Sequence, residues 1–241
     1  VENEGIKFAE FLAKELNAKG FVAFEKFGTA QLTFDDYKLE ITTAREETYS
    51  KNSRKPKVVF TDIHQDLSRR DFTVNAIAVS IMPNSYGEIF DPFGGIKDIN
   101  KKILITPLEP DKTFIDDPLR MLRAIRFAAQ LNFSIDDKVF QSISSQCNRL
   151  EIISKERITE ELNKIILSNT PSTGFKILFK TKLLHQFFPQ MVKLQGIDYV
   201  GKHAHKDNFY HTIEVLDNIA KNTNNLWLRW AAILHDIAKP Q

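Results

Sequence analysis

Apolar residues recur at helical spacing at the start of the chain, where Ile6, Ala9, Phe11 or Leu12, Ala13 and Leu16 mark an amphipathic helix over residues 5 to 18. The period then changes. Phe21 to Lys26, Thr29 to Phe34 and Leu39 to Thr43 are short, partly alternating and rich in β-branched or aromatic residues, which predicts three strands of an antiparallel meander. Glu40 falls inside the third strand. Residues 45 to 57 carry no apolar period and end in a basic run, so they are expected to be a mobile loop. From Ser68 onward Phe72, Asn75, Ala76 and Val79 fit one helical face, with Arg70 and Asp71 at its start. Residues 87 to 106 read as strand, Pro/Gly turn, short helix and strand, with Gly94-Gly95 between Asp91 and Asp98. Beyond residue 113 the pattern is helical throughout. Over residues 154 to 168, for example, Ile158, Leu162, Ile165 and Ile166 form the inner face, and Lys155, Glu156, Arg157, Glu160 and Glu161 the outer one. The fold class is therefore α+β, a mixed head giving way to an all-α remainder near residue 112.

The stretch from Asp116 to Phe127 carries the most chemistry. Asp116 or Asp117 can cap a helix, Pro118 suits its first turn, and Met121, Leu122, Ile125 and Ala129 form its apolar flank. Asp117, Arg120, Arg123 and Arg126 are spaced by three, so at 100° per residue each falls back by about 60°, tracing a shallow spiral able to wrap a polyanion. An acceptor beside a donor also matches a base. Cytosine and adenine present an amino donor next to a ring-nitrogen acceptor, whereas uracil and guanine present a carbonyl next to an N–H, so Asp117 with Arg120 suits C and A. One such bidentate contact discriminates by roughly 1–3 kcal/mol. The same spacing also describes a solvated helix salt bridge worth about 0.3–0.5 kcal/mol, and other motifs must decide.

Composition narrows the classes. A net charge of +2 over 241 residues means that any nucleic-acid surface arises from local clustering. The single cysteine, Cys147, excludes an internal disulfide and a multi-cysteine zinc site, and fits a reducing compartment such as the cytoplasm. No apolar run approaches the roughly 20 residues of a membrane span, and no secretory leader pattern opens the chain. Val1 is not Met and the last residues stop inside a motif, so a fragment is expected.

Four motifs occur in order: Arg-Arg-Asp-Phe-Thr-Val-Asn-Ala (69–76), Asp-Pro-Phe-Gly-Gly-Ile-Lys-Asp (91–98), Asp-Asp-Pro-Leu-Arg-Met-Leu-Arg-Ala-Ile-Arg-Phe (116–127) and Glu-Arg-Ile-Thr-Glu-Glu-Leu (156–162). Together they closely resemble the class II tRNA nucleotidyltransferases, the CCA-adding enzymes, and the related bacterial poly(A) polymerases. That resemblance implies a polymerase-β-like nucleotidyltransferase head lacking its first strands (1–112), a helical neck that selects nucleotide and binds RNA (113–190), and the start of an HD domain (191–241). It implies attack by the 3′-OH of tRNA on the α-phosphate of CTP or ATP with release of pyrophosphate. Arg70 and Asp71 would hold ribose and phosphates, Asp117 and Arg120 would read the base, and Arg123 and Arg126 would be further nucleotide ligands. The turn from Asp91 to Asp98 resembles an element that lets the pocket change size.

The family's Mg²⁺ ions sit on an Asp-x-Asp pair, and no Asp-x-Asp occurs in these 241 residues. Glu40 stands where a third carboxylate would come, but one carboxylate does not hold two Mg²⁺ ions, so this chain by itself is expected to be poorly active or inactive. His211 with His235-Asp236 resembles the first two parts of an HD metal site, whose last Asp would lie beyond Gln241. His203 and His205 read as loop histidines. Two alternatives remain open: a poly(A) or A-adding enzyme of the same family, and an HD-type metal-dependent phosphohydrolase with an RNA-docking head.

Overall fold

A computed structural model describes residues 1–50, 53–196, 199–200, 203–204 and 207–239. The chain divides into two compact units, Val1–Asp71 with Asn75–Phe93, and Phe72–Val74 with Gly94–Gln241.

In the first unit, helix α1 (Gly5–Glu15) precedes strands β1 (Gly20–Phe24), β2 (Thr29–Phe34) and β3 (Tyr37–Thr42), paired antiparallel in the order β1-β2-β3 as their alternation predicts. Register settles the faces. Leu32 lies opposite Phe21 and Leu39, and Ala30 opposite Ala23 and Ile41, so these side chains share one face. Ala9 of α1 packs there with Ala30, Leu32 and Ile41 in a small core. The alternate row, Val22, Gln31 and Glu40, points to the other face.

Two expectations need correction. Residues 45 to 57 are not a loop: β4 (Arg45–Ser50) pairs antiparallel with β5 (Ser53–Phe60), with a register shift between Thr48 and Ser50; residues 51 and 52 lie outside the described residues. Thr48, Val58 and Val59 favour strand, and cross-strand pairing supplies backbone bonds that no apolar period announces. Nor does a helix run from Ser68 to Val79. Helix α2 (Ile63–Ser68) starts earlier, where the Asp62 carboxylate accepts the Gln65 N–H at 2.8 Å, and gives way to a 3₁₀ turn at Thr73–Asn75. The Thr73 N–H, which a helix would direct at the carbonyl of Arg69, donates instead to the Ile105 carbonyl at 2.8 Å. Phe72 and Ala76 are buried as the spacing suggested, whereas Asn75 and Val79 are exposed. Ala78–Val79 forms β6, paired with β7 (Ile89–Phe90).

The second unit opens with the short helix and strand foreseen, α3 (Gly95–Lys101) and β8 (Ile103–Leu104), followed by α4 (Pro110–Asp116) and α5 (Leu119–Leu131); β9 (Ser134–Ile135), parallel to β8, interrupts the stretch expected to be helical throughout, because its backbone pairs with β8. After them come α6 (Asp137–Gln146), α7 (Lys155–Ile166), α8 (Pro171–Lys180), α9 (Leu183–Phe187), α10 (Pro189–Val192), α11 (Asn208–Ala220) and α12 (Leu226–Leu234). His203 lies in a short strand pair with residues 199–200, and His205 lies outside the described residues. Helix α5 is the axis of this core, with Met121, Leu122, Ala124, Ile125 and Ala128 fully buried. Helix α8 approaches it closely at Gly174, where a Cβ would stand 2.5 Å from Ile165 Cγ2 and 3.4 Å from the Ala129 Cβ. Arg229 on α12, 1% exposed, donates to the carbonyls of Ile166, Ser168, Ala220 and Thr223 and to the Asn224 side chain. The ends of both α7 and α11 meet on that one guanidinium.

Candidate nucleotide-binding site

Arg70 owes its placement to a residue that motif reading passed over. Asp66, 3% exposed, takes Arg69 Nη2 on Oδ1 at 2.6 Å and Arg70 Nη2 on Oδ2 at 2.8 Å, while the Arg45 N–H also reaches Oδ1. The spacing i, i+3 and i, i+4 from Asp66 to the two arginines was the available signal. Burial pushes the Asp66 carboxyl up, but the charges and hydrogen bonds of Arg69 and Arg70 overcome this and hold it below the ordinary carboxylate value. A depressed folded pKa contributes stability that is present above the unfolded value of about 3.9 and is lost as pH falls through the lower folded value. Acid unfolding of the wild type is therefore expected to steepen below about pH 4, and Asp66→Asn to remove that component. Superimposable acid titrations of the two proteins, followed by circular dichroism, would contradict this. Next to Arg70, Asp71 is buried and accepts Asn75 Nδ2 at 3.0 Å.

In the second unit, Asp117 does not lie on one helix with Arg120. It is extended (φ −141°, ψ 100°), as a residue before proline tends to be, and separates α4 from α5. Its Oδ1 accepts the Leu119 N–H at 3.1 Å, capping α5, so of the two candidates Asp117 is the cap and Asp116 ends α4. A carboxylate has about four lone-pair sites, so capping does not exhaust its capacity to accept. Burial raises the Asp116 carboxyl, with Arg120 and Lys112 opposing. Arg120 and Arg123 are half-buried, but Arg126 is buried against Glu161, with Nη1 to Oε2 at 3.1 Å. Glu161 was expected on the outer face of α7; it is 4% exposed and also takes Lys164 at 3.0 Å. A carboxylate four residues after Arg157 in a polar run gave no sign of this partner 35 positions earlier. Asp98 is buried and accepts the Thr73 hydroxyl at 2.7 Å, and Gly94 stands at φ +74°, a conformation glycine adopts without strain. The boundary between the units falls inside the Asp91–Asp98 turn and again beside Arg70-Asp71.

Glu40 sits exposed on the sheet face opposite α1, in line with Gln31. Among the described residues it belongs to no group of three potential metal ligands, so the donors of this head do not fit a pair of Mg²⁺ ions. His211, His235 and Asp236 do come together, with one donor atom of each within 4.8 Å of the others. His235 Nδ1 is 2.7 Å from the Ala232 carbonyl and Nε2 is 3.2 Å from Asp236 Oδ2. With the proton on Nδ1, the Nε2 lone pair faces a carboxylate, an arrangement that a cation between them relieves. Lys239 also reaches Asp236 Oδ2, at 2.7 Å.

Residues 1–105 match the family model described as "Poly A polymerase head domain", and residues 132–194 the one described as "Probable RNA and SrmB- binding site of polymerase A". The chain is 37% identical over 160 residues to the CCA-adding enzyme of Staphylococcus epidermidis, covering 66% of this chain and 39% of that protein. It is 39% identical over 178 residues to the A-adding tRNA nucleotidyltransferase of Aquifex aeolicus, covering 74% of this chain and 21% of that protein. The chain thus spans well under half the length of these relatives. The Bacillus stearothermophilus CCA-adding enzyme in complex with CTP superimposes with a TM-score of 0.67 at 28% identity, over 91% of this chain and 49% of that one. No helix among the described residues is long and apolar enough to cross a membrane.

Proposed function

Because the chain belongs to the family of CCA-adding enzymes and bacterial poly(A) polymerases, we propose that it is the nucleotide-selecting part of a tRNA nucleotidyltransferase, choosing CTP and ATP for addition to the tRNA 3′ end. What supports this is the succession of Asp117, whose carboxylate caps α5, and Arg120 in the first turn of that helix, an acceptor and a donor three residues apart that suit the edge of C or A. Arg70 and Asp71 hold ribose and phosphate, a carboxylate being suited to accept from a 2′-OH. Arg123 and Arg126 add positive charge for the phosphates. The chain's own groups bind, orient and discriminate; the attack of the 3′-OH on the α-phosphate needs carboxylates that these residues do not supply. Helices α6 to α10 correspond to the RNA-binding match and take the tRNA. Residues 1–112, 113–190 and 191–241 serve as head, neck and the start of an HD body, in a cytoplasmic protein.

Calorimetric titration of this chain with CTP, ATP, UTP and GTP tests the reading. CTP and ATP are expected to bind roughly tenfold or more tighter than UTP and GTP, in line with one bidentate contact. Equal affinity for all four would sink it, and binding of ATP alone would move the assignment to an A-adding enzyme.

A second reading is favoured by the His211, His235 and Asp236 cluster: these residues hold a divalent metal, which when bound polarises a phosphate ester or activates water. Cobalt(II) titration is expected to give visible absorption bands that His235→Ala removes. Bands that survive His235→Ala would place the metal elsewhere.

A further inference from the structure

Both guanidiniums that follow Arg120 along α5 lie over one ring. Arg123 Cζ is 5.4 Å and Arg126 Cζ 4.2 Å from the centroid of Phe127, inside the range of about 6 Å over which a cation is drawn to an aromatic face. The ring is itself held in place. It meets the fully buried Phe72 edge to face, with centroids 5.8 Å apart and planes at 86°. Arg126 is fixed further by Glu161, which Lys164 also occupies. Glu161 balances the charge of Arg126, and the same ring holds a second guanidinium, that of Arg123, beside it.

We infer that Phe127 is a positioning residue for phosphate: its ring, anchored by Phe72, fixes the guanidinium planes of Arg123 and Arg126 so that their donors meet the phosphates of the bound nucleotide. This rests on the nucleotide-binding reading above. A free arginine loses much rotamer freedom when it grips an anion, whereas a stacked one has lost that freedom beforehand, so the ring raises affinity without touching the ligand.

The test uses inorganic tripolyphosphate, which has no base, alongside CTP. Phe127→Leu keeps apolar volume and removes the π face; Phe127→Trp keeps the face. Tripolyphosphate and CTP are expected to bind Phe127→Leu about five- to tenfold more weakly than wild type, and Phe127→Trp within about twofold of it, each compared at temperatures below its own Tm. A role confined to packing would lower Tm in both variants without this order of affinities. Unchanged tripolyphosphate affinity in Phe127→Leu, or a Phe127→Trp no better than Phe127→Leu, overturns the inference. Base preference on the same samples reports separately on Asp117 and Arg120, so a wild type that binds tripolyphosphate but ignores the base fails the base reading and not this one.

Discussion

Arg229→Met is expected to destabilise the helical unit by about 3–5 kcal/mol, the largest effect of any single substitution considered for this chain. Five N–H groups of Arg229 meet five oxygens, four of them backbone carbonyls at or just beyond the ends of α7 and α11. The carbonyls of Ile166 and Ser168 close the end of α7, and those of Ala220 and Thr223 follow α11, so one side chain fastens three helices. Burial lowers the Arg229 pKa, yet a guanidinium stays charged at neutral pH, and a charge buried among carbonyl oxygens is compensated only while those oxygens surround it. Met fills the volume and leaves the acceptors stranded. Arg229→Lys should be nearly as damaging, because an ammonium presents its donors from one point and cannot span acceptors arranged around a fork. Urea unfolding followed by circular dichroism measures both. A change below about 1 kcal/mol for Arg229→Met would show that water replaces the guanidinium without cost.

Arg120→Ala is expected to weaken CTP and ATP binding by roughly ten- to a hundredfold while leaving UTP and GTP within a few-fold, so that discrimination among bases largely disappears. The asymmetry is the informative part. A phosphate ligand would weaken all four nucleotides alike, whereas a group that meets the base edge costs only the bases that fitted it. The variant is stable enough to measure if the fold remains intact, since Arg120 is half-buried at the first turn of α5 and the apolar side of that helix is untouched. Uniform loss across the four nucleotides would reassign Arg120 to the phosphates.

The parts of this protein that were legible in the sequence are those in which one physical pattern decides one element. The alternation in β2 and the apolar stripe of α5 each bury what they promised, Ala30 and Leu32 in one case and Leu122 and Ile125 in the other. The failures share a cause: the deciding partner leaves no mark on periodicity. Thr73 leaves the helical path for the Ile105 carbonyl, Glu161 turns inward for Arg126 35 positions earlier, and the stretch from Arg45 forms a strand by pairing with the residues just after it. The candidate site divides the same way. Motifs named the residues that meet the nucleotide in the proposed reading but gave no role to those that hold them in place: Asp66 stood at i, i+3 and i, i+4 from its arginines, Phe127 closed the motif, and only Glu161 had no signal, its partner being 35 positions away.

In the proposed reading, the break at Asp117 gives the base-reading group an unusual economy of motion. A carboxylate projecting from the middle of a helix would rely on its two side-chain torsions to find the base, and would lose that freedom with every nucleotide bound. Asp117 instead stands at a joint whose backbone is restricted by the pyrrolidine ring that follows, and its Oδ1 is already tethered to the Leu119 N–H. The direction of the acceptor is thus set by the fold, and if Asp117 reads the base as proposed, selectivity is a property of the folded backbone as much as of the side chain that expresses it.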